Sequence, residues 1–388
     1  MARSAFTLAA SVTAALPRVT VVGAAELTDG GTGRFDSAIA ALDDGRRVVV
    51  RAPADEPAAA DLVAEARALR ALTPGVRAML PVTAPEVLGE VSLGGPRALV
   101  TSYLAGYRVE AAHIPAGRGV ATAIGEALAR IHDLPTSVVR DAGLPMRTSG
   151  QVRDEAERLL DRAEATGRLP FALLRRWSTA VGTDDLWHFE PTVVLGGTDS
   201  TSFVLEDTDD VPAVIGVLGW RGLSVGDPAT DLRWIASATE ARTDILDAYT
   251  QRGQRPSDDL LAERARLHAE FEFAAWLVHG HTVGSDAIVA DAVELLEALD
   301  ANVRDEPPFV RAHVTADDAF AASDRVSHGA AAPVDTSMQT DAYAAEDLAE
   351  LDDTTVPIVR SSWMPGADAD DDPDDAARNA LRRWTSTA

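Results

Sequence analysis

The stretch GVLGWRGLSVGDPATDLRW, Gly216–Trp234, decides the architecture: an apolar run ends in a glycine-broken turn and is followed by Gly226-Asp227-Pro228. Proline suits the first turn of a helix, where its missing N–H is not needed, and an aspartate just ahead of it can accept an unpaired N–H there. The spacing therefore predicts a strand over PAVIGVLGW, 212–220, and a helical stretch from about Pro228 whose start Asp227 and Asp231 cap and brace.

Outward from this stretch, TVVL at 192–195 and SFVLE at 202–206 read as short strands, and helical patterns run on to Asp300. Upstream, GVATAIGEALARIHDL, QVRDEAERLLDRAEATG and PFALLRRWSTAV read as successive helices. Earlier still, from Val19 to Leu104, β-branched runs alternate with turns, as strands do. Within that region 58–72 sets Leu62, Ala66, Leu69 and Leu72 on one helical face. The first hundred residues thus read as a small antiparallel sheet carrying a helix.

Residues 1–16 have the outline of a secretory signal, but Thr7, Ser11 and Thr13 interrupt the apolar run and the chain passes through Pro17 into VTVVGA. An amphipathic first helix fits better. No run reaches the ~18 apolar residues of a membrane span, so a cytoplasmic protein with no membrane partner is expected. With 35 Lys+Arg against 61 Asp+Glu, the net charge of −26 argues against nucleic acid as a partner. Cysteine is absent, which excludes disulfides, thiolate metal sites and cysteine nucleophiles. Lysine is absent too, and asparagine occurs only at Asn302 and Asn379, so no lysine ammonium is at hand for chemistry. Residues 301–388 hold 18 acidic residues and 7 arginines and read as a disordered acidic tail, whose end, DDAARNALRRW, has helical character.

This order of parts, with its motifs, resembles the aminoglycoside and macrolide phosphotransferase family, over roughly Ala5 to Leu299. Gly226, Asp227, Pro228, Asp231 and Leu232 match its Gly-Asp-Pro-x-x-Asp-Leu element in identity and spacing. VTSYLAG, 100–106, resembles its hinge and GEALARIHDLP, 125–135, its histidine-containing helix end. The resemblance implies an α+β, two-lobed protein-kinase-like fold: a β-rich lobe over 1–104, a helical lobe over 105–300 and the tail over 301–388. It also implies an ATP or GTP site made by Gly30, Gly31 and Gly33 of a glycine-rich loop, by Arg51 with Glu65 where the family pairs lysine with glutamate, and by the hinge residues Ser102, Tyr103 and Leu104. His132 and Asp133 are neighbours on a helix and do not face each other, so His132 is expected to be structural. His279 and His281 are expected to form a helix end rather than a metal site.

The departures are as specific as the matches. The family reads His-Gly-Asp, four residues, then Asn ahead of an apolar strand; here LGGTDSTSFVL puts Leu195, Gly197 and Ser202 at the histidine, the catalytic aspartate and the metal-binding asparagine. The metal-binding aspartate before the tryptophan is Gly219. Glycine has no side chain to offer magnesium, so the metal is not expected. Three readings are open. The first is a pseudo-phosphotransferase that binds a nucleotide, another small molecule or a partner without transferring phosphate. The second is an active small-molecule kinase with Asp199 as base and Asp227 or Asp207 at the metal. The third is a scaffold whose acidic tail recruits a protein partner.

Overall fold

Alternation builds the first lobe. Along the second strand every other residue is buried, and Ala38, Ala40 and Leu42 share one face with Val48, Val50, Ala52, Ala98 and Val100 of its neighbours. Helix α1 (Ala5–Ala15) lays Ala5, Leu8, Ala9 and Val12 on that face, an i, i+3, i+4, i+7 stripe, and Ser4 caps its start. The N-terminal run is thus a core helix. The strands β1 (Val21–Glu26), β2 (Phe35–Leu42) and β3 (Arg47–Pro53) follow, then α2 (Glu56–Ala71), the short α3 (Pro74–Met79), β4 (Val87–Ser92) and β5 (Arg97–Ser102). They form one antiparallel sheet in the order β1-β2-β3-β5-β4. The opposite face, with Leu99, receives Leu62 and Ala66 of α2, and Asp55 caps this helix by accepting from Ala58 N at 2.7 Å.

The computed structural model describes residues 3–27, 34–92, 97–255, 258–304, 306 and 309. The glycine-rich loop residues Gly30, Gly31 and Gly33, and the tail from 310 on, including the stretch DDAARNALRRW expected to be helical, lie outside them.

The second lobe begins with α4 (Val120–His132), α5 (Ser137–Asp141), α6 (Ser149–Ala165) and α7 (Phe171–Val181). Four short strands come next: β6 (Thr192–Val194), β7 (Phe203–Thr208), β8 (Val211–Val217) and β9 (Ser224–Gly226), pairing β6 with β9 and β7 with β8. A 3-10 stretch over Pro228–Ser237 leads to α8 (Arg242–Arg252), α9 (Leu261–Val283) and α10 (Asp286–Asn302). Where α4 crosses α8, a Cβ on Gly125 would sit 2.4 Å from the Ile245 carbonyl, so only glycine permits this approach. No helix among the described residues is long and apolar enough to cross a membrane.

The folded part continues past residue 300, where the composition alone placed its end. Val303 and Phe309 are buried in the α6–α7–α9–α10 core. The Phe309 ring lies between the guanidiniums of Arg176 and Arg266, 4.3 and 4.4 Å from its centroid, and Glu306 pairs with both arginines. Phe309→Ala is expected to lower stability by about 2 kcal/mol, read as a lower urea midpoint.

Candidate functional site

The site is assembled around the loop after β6. Its backbone is held from behind: the N–H groups of Leu195, Gly196 and Gly197 donate to the Asp231 carboxylate at 2.6, 2.8 and 3.2 Å. Asp231 is fully buried and also faces His132 Nε2 at 3.1 Å, while His132 Nδ1 lies 2.8 Å from the Tyr249 hydroxyl. Burial works against the charge on Asp231, but the His132 hydrogen bond and the backbone donors outweigh it and hold the carboxyl below its ordinary value. Burial pushes the Tyr249 hydroxyl up, so it stays protonated and can donate to Nδ1 while Nε2 donates to Asp231. His132 therefore braces the loop. Asp231 does the same, which corrects the expectation that it braces its own helix: it reaches back across the chain instead.

Asp227 does cap the 3-10 stretch, accepting from Ala229 N at 3.0 Å. Its second oxygen receives Arg264 Nε at 2.9 Å and His268 Nε2 at 3.0 Å. Burial again disfavours the charge, yet Arg264 and His268 prevail and lower this carboxyl to about 2. An arginine at its oxygen repels any cation, so Asp227 does not suit the metal role considered for it. Asp207 does not either. It pairs with Pro212 toward the hairpin tip, whereas Phe203 and Val217 pair at the end nearest Ser202 and Gly219, about 13 Å away at ~3.3 Å per residue. Its carboxylate accepts instead from the Tyr107 hydroxyl at 2.5 Å.

Ser202 and Gly219 do come together: Leu218 N donates to the Ser202 carbonyl at 2.8 Å, and a Cβ on Gly219 would stand 3.6 Å from Ser202 Oγ. Gly219 has φ +76°, a left-handed turn. The exposed Asp199 caps the intervening turn, where its Oδ1 accepts from Ser202 N at 3.0 Å and Thr201 Oγ1 at 2.7 Å. No group of three or more His, Asp or Glu able to hold a metal occurs among the described residues. With glycine at one position and a serine hydroxyl already in the Asp199 turn at the other, the residues present do not fit magnesium.

Above the loop, the β7–β8 hairpin is stitched to the first lobe by Thr83 N on the Ile215 carbonyl at 2.8 Å, and joined to the segment after the hinge by Tyr107 N on the Leu205 carbonyl at 2.9 Å. Arg51 on β3 meets Glu65 on α2 at 2.6 Å and stacks on the Phe35 ring at 4.3 Å. In the hinge, Ser102 N donates to the Glu86 carbonyl and Tyr103 N to the Arg47 carbonyl. The Leu104 backbone has no partner among the described residues. His279 and His281 fall in the last turns of α9, with His279 stacked on Trp276 at 5.6 Å.

Several participants had no place in the sequence reading. Arg264 and His268 lie one turn apart on α9 and so share a face, the only signal that could have found them. Asp61 on α2 binds both Arg34 and Arg221 at 2.6 Å, tying the residue after the glycine-rich loop to the turn after Gly219. Arg233 is the most consequential. Gly197 has φ +133°, and a Cβ built there would lie 3.4 and 3.7 Å from Arg233 Nη2 and Nη1.

No curated protein matches the sequence. Among solved structures, the macrolide 2′-phosphotransferase MphH from Brachybacterium faecium superposes with a TM-score of 0.60 at 22% identity, covering 78% of this chain and 99% of that one. The GDP complex of wild-type aminoglycoside 2′-phosphotransferase-IIIa gives a TM-score of 0.63 at 15% identity, covering 77% and 99%. A streptomycin–ATP ternary complex of an aminoglycoside phosphotransferase gives 0.52 at 14%, covering 74% and 96%. These likenesses are of fold, the kinase-like arrangement of a small antiparallel sheet and a helical lobe. Residues 32–269, more than half of the chain, match one family, and on that match the chain belongs to the phosphotransferase enzyme family.

Proposed function

We propose that this protein is a phosphotransferase-family member that does not transfer phosphate and acts by binding a nucleotide or another phosphate-bearing small molecule. What carries the reading is the absence of side-chain carboxylates at 197, 202 and 219, where the resemblance puts the base and the metal ligands and the chain has Gly197, Ser202 and Gly219. Without a base the attacking hydroxyl is not deprotonated, and without a metal the γ-phosphate charge is not neutralised. The hinge supports retained binding, because the Leu104 backbone has no hydrogen-bond partner among the described residues and a purine edge could use it. The Arg51–Glu65 pair persists as a brace between β3 and α2. The experiment is a phosphotransfer assay with ATP and GTP against aminoglycosides and macrolides, with magnesium present. Turnover no greater than the buffer rate is expected.

Measurable transfer would overturn the reading and favour the active-kinase alternative, in which the exposed Asp199 is the remaining carboxylate of the loop. Asp199→Ala would then have to abolish that turnover. The acidic tail, as a docking segment for a protein partner, is a separate proposal, tested by a chain ending after Val310, which keeps Phe309 in its core.

A further inference from the structure

We infer that Arg233 makes this site a receptor for a phosphate-bearing anion held without any divalent cation. The inference deepens the reading above and rests on it for the absence of a metal. The first step is the sign of the charge. Where the resemblance places two carboxylates, at 197 and 219, the chain has glycine, so two negative charges are gone. Beside the first of these glycines stands the Arg233 guanidinium, with Nη2 3.4 Å from the position a Cβ at 197 would take.

The second step is which of its donors are open. Arg233 Nε faces Glu272 at 3.3 Å and Nη1 donates to the Thr230 carbonyl at 3.3 Å. Nη2 donates no hydrogen bond among the described residues. Glu272 is half-exposed, so this ion pair orients the guanidinium more than it neutralises it. Gly197 is exposed and carries no side chain to screen the open edge. The loop's own N–H groups cannot substitute, because Asp231 takes those of Leu195, Gly196 and Gly197. Arg233 therefore supplies the charged donors at this point, beside the buried Thr198 hydroxyl, which has no partner among the described residues.

The third step is geometric fit. A guanidinium presents its N–H groups as a planar fork that matches the oxygens of a phosphate two at a time, and its charge does not titrate. In the kinase arrangement a metal bridges phosphate and protein carboxylates. Here the arginine would contact phosphate directly, and a magnesium already on the phosphate would compete with it.

The test is calorimetric titration of the full chain with sodium pyrophosphate, ATP and adenosine, each in EDTA and in magnesium. The expected result is binding of pyrophosphate and ATP in EDTA, weaker binding in magnesium, and adenosine binding more weakly than ATP. Arg233→Ala should weaken pyrophosphate about tenfold or more, the worth of a charged hydrogen bond. It should keep its ligand-free melting temperature, and Arg252→Ala, an exposed arginine ending α8, should bind as the parent does. Binding that requires magnesium, pyrophosphate affinity unchanged in Arg233→Ala, or no pyrophosphate binding in EDTA would each overturn the inference. These outcomes are separate from the phosphotransfer assay, which decides the loss of catalysis by turnover alone.

Discussion

Arg264→Ala is expected to destabilise the protein by about 3–5 kcal/mol, the range for removing one partner of a buried ion pair. Arg264 and Asp227 are both fully buried at 2.9 Å, and Arg264 also binds Asp258 and stacks on the Phe189 ring at 4.5 Å. Truncation leaves Asp227 in the interior with His268 and the Ala229 N–H as its remaining partners. The matching double change, Arg264→Met with Asp227→Asn, should lose less than the sum of the single changes, because neither charge is then stranded. Urea unfolding of the three variants measures this. The acid limb gives an independent check. Asp227 sits at about 2 in the folded chain, below the ~3.9 of an unfolded aspartate. Its contribution is therefore fully present above ~4 and is lost as pH falls toward 2, a loss of about 2 kcal/mol. The lowered Asp231 carboxyl acts in the same direction. In Arg264→Ala the part of the acid-induced loss that belongs to Asp227 should shrink or vanish.

Asp231→Ala is expected to cost a similar ~3–5 kcal/mol, for a different reason. It removes one acceptor from three backbone donors and from His132 at once, and buried donors left unmade are more damaging than a lost bond between exposed groups. Asp231→Asn keeps the volume and one acceptor oxygen, so its loss should be smaller. The local signature is hydrogen exchange at the amides of Leu195, Gly196 and Gly197: protection there should fall in Asp231→Asn while the β7–β8 hairpin keeps its own. Equal loss across the chain would mean that Asp231 only supports the fold.

The parts legible in the sequence were those with local grammar. Asp227-Pro228 announced the start of the 3-10 stretch, though β9 just before it went unread, and the β-branched runs broken by turns announced the small antiparallel sheet. The site's brace was not legible. His132 and Asp231 are 99 residues apart and meet only because α4 lies beneath β6, so no spacing rule could pair them. Arg264 reads in isolation as a surface charge on a long helix; its burial follows from where Asp227 falls. Arg233 was the hardest to see, since its importance comes from a side chain that is missing at another position. The extension of the core to Phe309 was hidden by acidic composition, which says little about a single aromatic clamped between two arginines.

The backbone at Gly197 also bears on how this lineage could change. Placing aspartate there would put an L-residue at φ +133°, which such residues rarely adopt, with its Cβ 3.4 Å from Arg233 Nη2. On the proposed reading, a base placed there would be neutralised by the arginine, and Ser202 and Gly219 would still supply no carboxylate for a metal. Activity would then require several substitutions together, each of no benefit alone. On that reading the pairing of a positive-φ glycine with an arginine works as a ratchet: selection for phosphoryl transfer would find no single first step to reward.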